Sequence, residues 1–195
     1  MKLLFATNNP NKLKEVQAKL PKYEIVSLQE LGITEEIPET GSTLEENALI
    51  KARYLYQKFQ LDCFADDTGL EIESLNNEPG VYTARYAGDE KSAEANMEKV
   101  LTKLKGKTNR KARFRTAIAL IQGGNEKIVE GIVYGKIIEE KRGNGGFGYD
   151  PIFVADGYDE TFAQLSLNIK NKIGHRGLAV NELVEILEGK RKKMR

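Results

Sequence analysis

The sequence predicts an α/β protein of the mixed, α+β kind, built on one long mixed β-sheet flanked by helices. Strand and helix patterns alternate through the first third of the chain, as expected of parallel strands joined by crossover helices. Two long β patterns then follow one another across a Gly-Gly turn, which makes an antiparallel pair. Too few crossover helices remain for a purely parallel sheet. At 195 residues the chain is one domain by size, spanning 1–195, with room for two lobes around one sheet.

Each element has its own signal. Residues 3–6 form a short apolar run bounded by polar residues, a buried strand. Asn9 suits an N-cap and Pro10 the first helical position, so a helix starts there and buries Leu13, Val16 and Leu20. Residues 23–28 read as a second strand. Thr43 with Glu46 three residues on is a capping-box pattern that opens a helix through Ala48, Ala52, Leu55 and Phe59, leaving 37–42 as a loop. Residues 63–65 read as a third strand ending at Asp66 and Asp67, and 70–75 as a fourth, by alternation. Residues 76–89 lack periodicity and read as a loop. A helix from about Ser92 buries Met97, Val100, Leu101 and Leu104, and 105–111 is a basic connector. Residues 112–121 and 127–140 are the hairpin, turning at Gly123 and Gly124. Residues 152–154 form a last short strand and 177–187 a closing amphipathic helix.

Composition removes several function classes. Apolar residues are 40% and charged residues 30%, with 18 Gly and 5 Pro, which excludes a disordered, collagenous or repeat protein. A formal net charge of +1 supplies no bulk field toward nucleic acid or anionic lipid, so an anionic ligand must be held locally. The single cysteine, Cys63, makes neither an intrachain disulfide nor a cysteine zinc cluster, which fits a reducing, cytoplasmic setting. No run approaches the roughly 18 apolar residues of a membrane span, and the opening MKLLFATNN turns polar too soon for a signal-peptide core. The basic end, 190–195, reads as a solvated terminus.

Four constellations carry chemistry. Thr7, Asn8, Asn9, Pro10, Asn11 and Lys12 lie between a strand's carboxyl end and a helix start, where N–H groups, the helix dipole and an ammonium converge on a phosphate; Asn9 as a plain cap is the alternative. The adjacent acids Asp66 and Asp67, followed by Thr68 and Gly69, repel each other unless a cation or donors compensate, and Mg²⁺ takes one or two carboxylates with waters and phosphates; an Asx turn is the alternative. Among the glutamates of the preceding loop, spacing alone does not select Glu39 from Glu35, Glu36, Glu45 and Glu46. Residues 143–150, GNGGFGYD, combine dense glycine with Phe147 and Tyr149 as ring faces and Asp150 as an acceptor, which suits a base slot or a plugged hairpin exit. Lys170, His175 and Arg176 are donors suited to a phosphate or a carbonyl oxygen, or to capping the last helix.

Taken together, the strings TNNPNK at 7–12, ETGSTLEENALIKA at 39–52, ADDTG at 65–69, GVYTARYAG at 80–88, GGFGYDPIF at 145–153 and HRG at 175–177 resemble the non-canonical purine nucleoside triphosphate pyrophosphatases, the inosine triphosphatase or Ham1-like family, in order and over nearly the whole chain. The resemblance implies two lobes around a central nucleotide cleft and a homodimer. It implies Mg²⁺-dependent hydrolysis of inosine, deoxyinosine and xanthosine triphosphates to the monophosphate and pyrophosphate. It further implies that Thr7 to Lys12 hold phosphates, that Glu39 and Asp67 serve the metal, with Asp67 the catalytic acid-base residue, and that Thr68, Phe147, Gly148, Tyr149, Asp150, Lys170, His175 and Arg176 bind substrate. Asn8, Thr68 and Gly174 stand where the family often has Gly, Ser and Ser. Of these, Gly174 bears on fine base discrimination.

On this reading Asp67 activates water against the α-phosphorus, with Asp66 as the alternative base, and Arg176 reads the purine O6 while Phe147 stacks on the ring. A related pyrophosphatase acting on modified pyrimidine triphosphates, or a non-catalytic nucleotide sensor, are the competing functions.

Overall fold

The computed structural model describes residues 1–189; the basic end at 190–195 lies outside the described residues. The chain runs β1 (Lys2–Phe5), α1 (Pro10–Lys19), β2 (Glu24–Ser27), α2 (Leu44–Phe59), β3 (Cys63–Ile72), β4 (Glu78–Pro79), α3 (Ala93–Leu104), β5 (Lys111–Gln122), β6 (Asn125–Ile137), β7 (Phe153–Ala155), α4 (Leu167–Ile173) and α5 (His175–Leu187). Short 3₁₀ turns occupy Glu73–Leu75, Gly80–Arg85 and Asp150–Ile152. The strands order as β2-β1-β3-β5-β6-β7, with β4 paired to β3. β1 pairs in parallel with β2 and β3, whereas β4 on β3 and β7 on β6 are antiparallel, so the sheet is mixed as the pattern predicts.

The chain divides into two compact units, one comprising Met1–Asp67, Thr116–Gly131 and the residues from Arg176 on, the other Thr68–Arg115 and Ile132–His175. In the first, side chains alternate across the sheet with the period of two that a strand imposes. Leu3 and Phe5 join Phe64, Val16 and Leu20 of α1, and Ala179, Val180 and Leu183 of α5. Leu4 and Ala6 join Cys63, Ala65, and Ala48, Ala52 and Leu55 of α2. Both faces of the sheet are therefore covered in this unit. Phe5 and Phe64 stack with ring centroids 4.4 Å apart, and burying each ring contributes about 1.5–3 kcal/mol.

The second unit has one core, in which Leu70 and Ile72 of β3, Val100 and Leu104 of α3, and Phe114, Tyr149, Phe153 and Phe162 meet. The rings of Phe114 and Phe153 meet edge to face at 4.7 Å, and those of Phe153 and Phe162 at 5.0 Å.

Several local expectations hold. Asn9 caps α1, its side chain accepting the N–H groups of Asn11 and Lys12, with Pro10 in the first turn. Thr43 caps α2 through the Glu46 N–H, but the Glu46 carboxylate turns back one residue further than a capping box requires, onto the N–H and hydroxyl of Ser42. Gly123 and Gly124 both take positive φ, 54° and 80°, as the β5–β6 turn demands. Two expectations need correction. The strands expected at 63–65 and 70–75 are replaced by one continuous β3 that ends at Ile72, with Glu73–Leu75 a 3₁₀ turn, so Asp66 and Asp67 lie within a strand and not at its end. Helix α4 was not signalled, because Lys170 is its one buried residue and no apolar stripe marks it.

Candidate active site

Consecutive residues of a strand point to opposite faces, and this separates the two acids of β3. Asp66 shares the face of Phe64 and meets α1 and α5. Its Oδ1 accepts from Lys12 Nζ at 3.1 Å and its Oδ2 from Arg176 Nε at 3.0 Å. Arg176 Nη1 in turn donates to Glu15 Oε2 at 2.6 Å. Asp66, Glu15 and Arg176 are all buried, and together with the Lys12 ammonium they make three ion pairs among two cations and two carboxylates. Burial alone would raise the Asp66 carboxyl, but Lys12, Arg176 and Lys51 outweigh it and hold this group well below the usual carboxylate range.

Asp67 shares the face of Cys63 and Ala65 and meets α2. Asn47 Nδ2 donates to its Oδ2 at 3.0 Å, and Lys51 Nζ lies 3.8 Å from its Oδ1. Asn47 Oδ1 accepts the Gly41 N–H at 2.8 Å, so this amide ties the loop before α2 to the acid. Gly41 permits that approach, since a Cβ there would sit 2.6 Å from Glu46 Cβ. Lys51 Nζ donates to Glu39 Oε1 at 2.6 Å and to the Asp66 carbonyl at 2.7 Å. Burial raises the Asp67 carboxyl above its ordinary value and the Glu39 charge adds to the rise, with Lys51 opposing. Lys51 itself is held protonated, because Asp67, Glu39 and Asp66 outweigh its burial.

One strand thus carries an acid locked in its ionised form and, next to it, an acid tuned toward taking a proton. The donor set around Asp67 fits a divalent cation of the Mg²⁺ type. Two carboxylates, Glu39 and Asp67, already face one cationic group, the Lys51 ammonium, and Mg²⁺ needs only one or two protein carboxylates when phosphates supply the rest. Among the described residues no cluster of three His, Cys, Asp or Glu side chains forms a closed metal cage.

The turn at Thr7 to Lys12 is more self-contained than expected. Thr7 Oγ1 accepts the Asn9 N–H at 3.0 Å, Asn9 Oδ1 takes those of Asn11 and Lys12, and the Thr7 N–H bonds the Phe5 carbonyl. Asn8 uses its side chain on the Ile33 carbonyl. An anion at this turn therefore leans on the Lys12 ammonium and the α1 dipole more than on a nest of N–H groups.

Thr68 opens the second unit, in which Phe147 and Lys170 meet Asp150. The carboxylate of Asp150 accepts from the Phe147 N–H at 2.9 Å and Lys170 Nζ at 2.6 Å, and that ammonium stands 4.5 Å from the Phe147 ring centroid. Gly146 is required here: at φ 67° it leaves so little room that a Cβ would fall 2.0 Å from Asp150 Oδ2. Gly148 also adopts positive φ, 61°. Tyr149 differs from expectation. Its ring is part of the core and not an open face, and its hydroxyl donates to the Thr83 carbonyl at 2.7 Å. His175 stacks on Phe114 at 4.6 Å. Gly174 is the single residue between α4 and α5, and a Cβ there would lie 2.6 Å from the Lys170 carbonyl oxygen.

Glu15, Asn47 and Lys51 were not singled out by sequence reasoning. Their signal was a polar residue on a buried helix stripe: Glu15 beside Val16, and Asn47 and Lys51 at i and i+4 beside Ala48 and Ala52.

Comparison with known proteins decides the family, since the Ham1 family model matches residues 3–186. The chain belongs to the Ham1 family. This Ham1 chain is 54% identical over 188 residues to a dITP/XTP pyrophosphatase of Christiangramia forsetii, covering 96% of this chain and 99% of that one. It is 51% identical over 190 residues to the dITP/XTP pyrophosphatase of Bacillus subtilis, covering 95% and 96%. Its fold matches the solved Ham1 protein of Staphylococcus aureus with a TM-score of 0.89 at 42% identity, covering 98% of this chain and all of that one.

Proposed function

We propose that this chain is a nucleoside triphosphate pyrophosphatase that hydrolyses inosine, deoxyinosine and xanthosine triphosphates to the monophosphate and pyrophosphate, removing deaminated purines from the nucleotide pool. The observation that carries this is the division of labour on β3: Asp66 is charge-locked between Lys12 and Arg176, while Asp67 is buried, raised in proton affinity and oriented by Asn47. Relatives at 51–54% identity with the dITP/XTP activity support it.

In the mechanism, Asp67 accepts a proton from water as the water oxygen bonds to the α-phosphorus. The bond from that phosphorus to the bridging oxygen breaks, and pyrophosphate leaves with the electron pair. Asn47 and Lys51 hold Asp67 in place for this step. Glu39 and Asp67 would hold Mg²⁺, which supplies charge neutralisation for the polyphosphate when bound. Lys12 offers its ammonium to phosphate oxygens, and Thr68 a hydroxyl. Phe147, Gly148, Asp150, Lys170 and His175 are assigned to the base and sugar of the substrate, with Tyr149, its ring in the core, holding that loop. Arg176, braced by Glu15 and Asp66, is the candidate donor to the purine O6, and donors at that position favour a keto base over the amino group of adenine.

The whole chain, 1–195, works as one catalytic domain, as a cytoplasmic homodimer without nucleic-acid partners. The balanced charge supports the last point. Among the described residues no helix is long and apolar enough to cross a membrane.

The test is hydrolysis of inosine, xanthosine, adenosine and guanosine triphosphates, with Mg²⁺ and with chelator. Pyrophosphate is expected from the first two, with adenosine slower by about 10² or more and chelator abolishing turnover. Release of orthophosphate, or indifference to the base, overturns the reading.

A further inference from the structure

The GVYTARYAG segment belongs to none of the roles assigned above, yet the structure holds it with unusual care. Gly80–Arg85 forms a 3₁₀ turn with no buried residue of its own, so packing does not fix it. Hydrogen bonds do. The Thr83 hydroxyl accepts the Leu70 N–H of β3 at 2.9 Å and donates to the Gly80 carbonyl at 2.6 Å. From α3, Asn96 grips the flank at two points, its Nδ2 donating to the Ala84 carbonyl at 2.9 Å and its Oδ1 accepting the Ala87 N–H at 2.7 Å. Lys99 Nζ donates to the Tyr86 carbonyl at 2.5 Å and also sits 4.3 Å from the Tyr86 ring centroid. Asn96 is buried, and each of these bonds consumes a backbone group that would otherwise meet water.

So fixed, the segment presents one group to the loop at 147–150: the Thr83 carbonyl, which receives the Tyr149 hydroxyl at 2.7 Å. Tyr149 follows Gly148 and precedes Asp150, whose carboxylate gathers Phe147 and Lys170. The loop is glycine-rich and owes little of its shape to apolar packing outside Tyr149. Beside the bonds of the Asp150 carboxylate to the Phe147 N–H and Lys170, its anchor is the Tyr149 ring in the core and the hydroxyl at the end of that ring.

We propose that Thr83 is a positioning residue for nucleobase recognition. Its hydroxyl locks the turn to β3 at Leu70, its carbonyl clasps the Tyr149 hydroxyl, and the clasp holds the Phe147–Asp150 loop in the shape that receives the purine. Asn96 braces the same turn from α3. This rests on the reading that the 147–150 loop takes the base.

The test uses the full chain with Mg²⁺ and inosine triphosphate, and compares Tyr149→Phe, Thr83→Val, Thr83→Ser, the Tyr149→Phe/Thr83→Val double variant and Phe147→Ala. Losing one hydrogen bond at the clasp raises KM about three- to tenfold with kcat within about twofold. The double variant is no worse than the more affected single one, because both act through one link: Tyr149→Phe removes the clasp bond and Thr83→Val the two hydroxyl bonds that hold its carbonyl in place. Thr83→Ser, which keeps the hydroxyl, restores KM. Inhibition by inosine monophosphate weakens in step with KM while inhibition by pyrophosphate is unchanged, a split that general structural damage does not produce. The proposal is overturned if the two single effects multiply, if pyrophosphate inhibition weakens equally, or if Phe147→Ala raises KM while the clasp variants do not. If Phe147→Ala itself leaves KM and inosine monophosphate inhibition unchanged, the base-site reading fails, and the clasp with it.

Discussion

The candidate residues of the first unit are held by charges that answer one another, Asp66 with Lys12 and Arg176, whereas those of the second are held by rings, glycines and backbone bonds around the Asp150–Lys170 pair. In the first, Lys12, Asn47, Lys51, Asp66, Asp67 and Arg176 ride on regular elements, α1, α2, β3 and α5, with Glu39 in the loop before α2, and each partner comes from a different segment. In the second, the loop at 147–150 has its shape dictated by Gly146, Gly148 and the Asp150 carboxylate. The difference teaches that the two parts respond to different perturbations. Removing a charge strands a buried partner in either unit, at Asp66 or at the Asp150–Lys170 pair, while in the second added volume at Gly146 or a lost hydroxyl at Tyr149 also does damage.

The sharpest way to break this contrast is at the two acids of β3. Asp67→Asn keeps the shape and the Asn47 contact but removes the proton acceptor. Turnover is expected to fall by about 10²–10⁴ at saturating Mg²⁺ with the folding midpoint little changed. Near wild-type turnover would remove Asp67 from the chemistry and return Asp66 as the candidate base.

Asp66→Asn is expected to act first on stability, by about 3 kcal/mol in urea unfolding at neutral pH, because Arg176 and Lys12 then lose their counter-charge. The pH dependence has a definite sign. The folded carboxyl titrates below its ordinary value of 3.8, so the stability it contributes is complete above that value and is lost as the pH falls through the folded value. The gap between wild type and Asp66→Asn should be flat from about pH 5 to 8 and close at lower pH. A gap that instead widens on acidification would mean the carboxylate is not stabilised by its cations.

In the second unit, Gly146→Ala puts a methyl group 2.0 Å from Asp150 Oδ2 at a φ of 67°. A loss of about 1–2 kcal/mol in stability is expected, with KM for inosine triphosphate rising more than kcat falls. Equal losses in kcat and KM terms for inosine and for pyrophosphate inhibition would show that the loop serves more than the base.

The same contrast explains what could be read from the chain before its structure. Local signals sufficed where one segment specifies itself: the Asn9-Pro10 helix start, the Gly123-Gly124 turn, the alternation of residues 3–6. They failed where the deciding partner is remote. Asp66 and Asp67 read as a strand end because two adjacent acids are poor strand residues, and the cations that make them tolerable come from 54 and 110 residues away along the chain. The loop at 143–150 announced its glycines but left open whether its rings face a ligand or plug the hairpin exit, since the acceptor that draws Tyr149 inward, at Thr83, is 66 residues earlier. Arg176 read as a donor for a ligand or a helix cap, and neither reading points to its pairing with Glu15, which spans 161 residues.

The smallest expected effect concerns Cys63, which lies on the Asp67 face of β3. Its thiol is fully buried, donates to the Ala52 carbonyl at 3.3 Å, and is pushed up by burial to about 12. At pH 8 the thiolate, the reactive form, is therefore scarce as well as inaccessible. A thiol-specific disulfide reagent should leave the native protein unlabelled and fully active, and label one thiol per chain in denaturant. Rapid labelling of the native state would mean that the α2 face opens readily, and the orientation of Asp67 by Asn47 and Lys51 would then be too transient to tune its carboxyl.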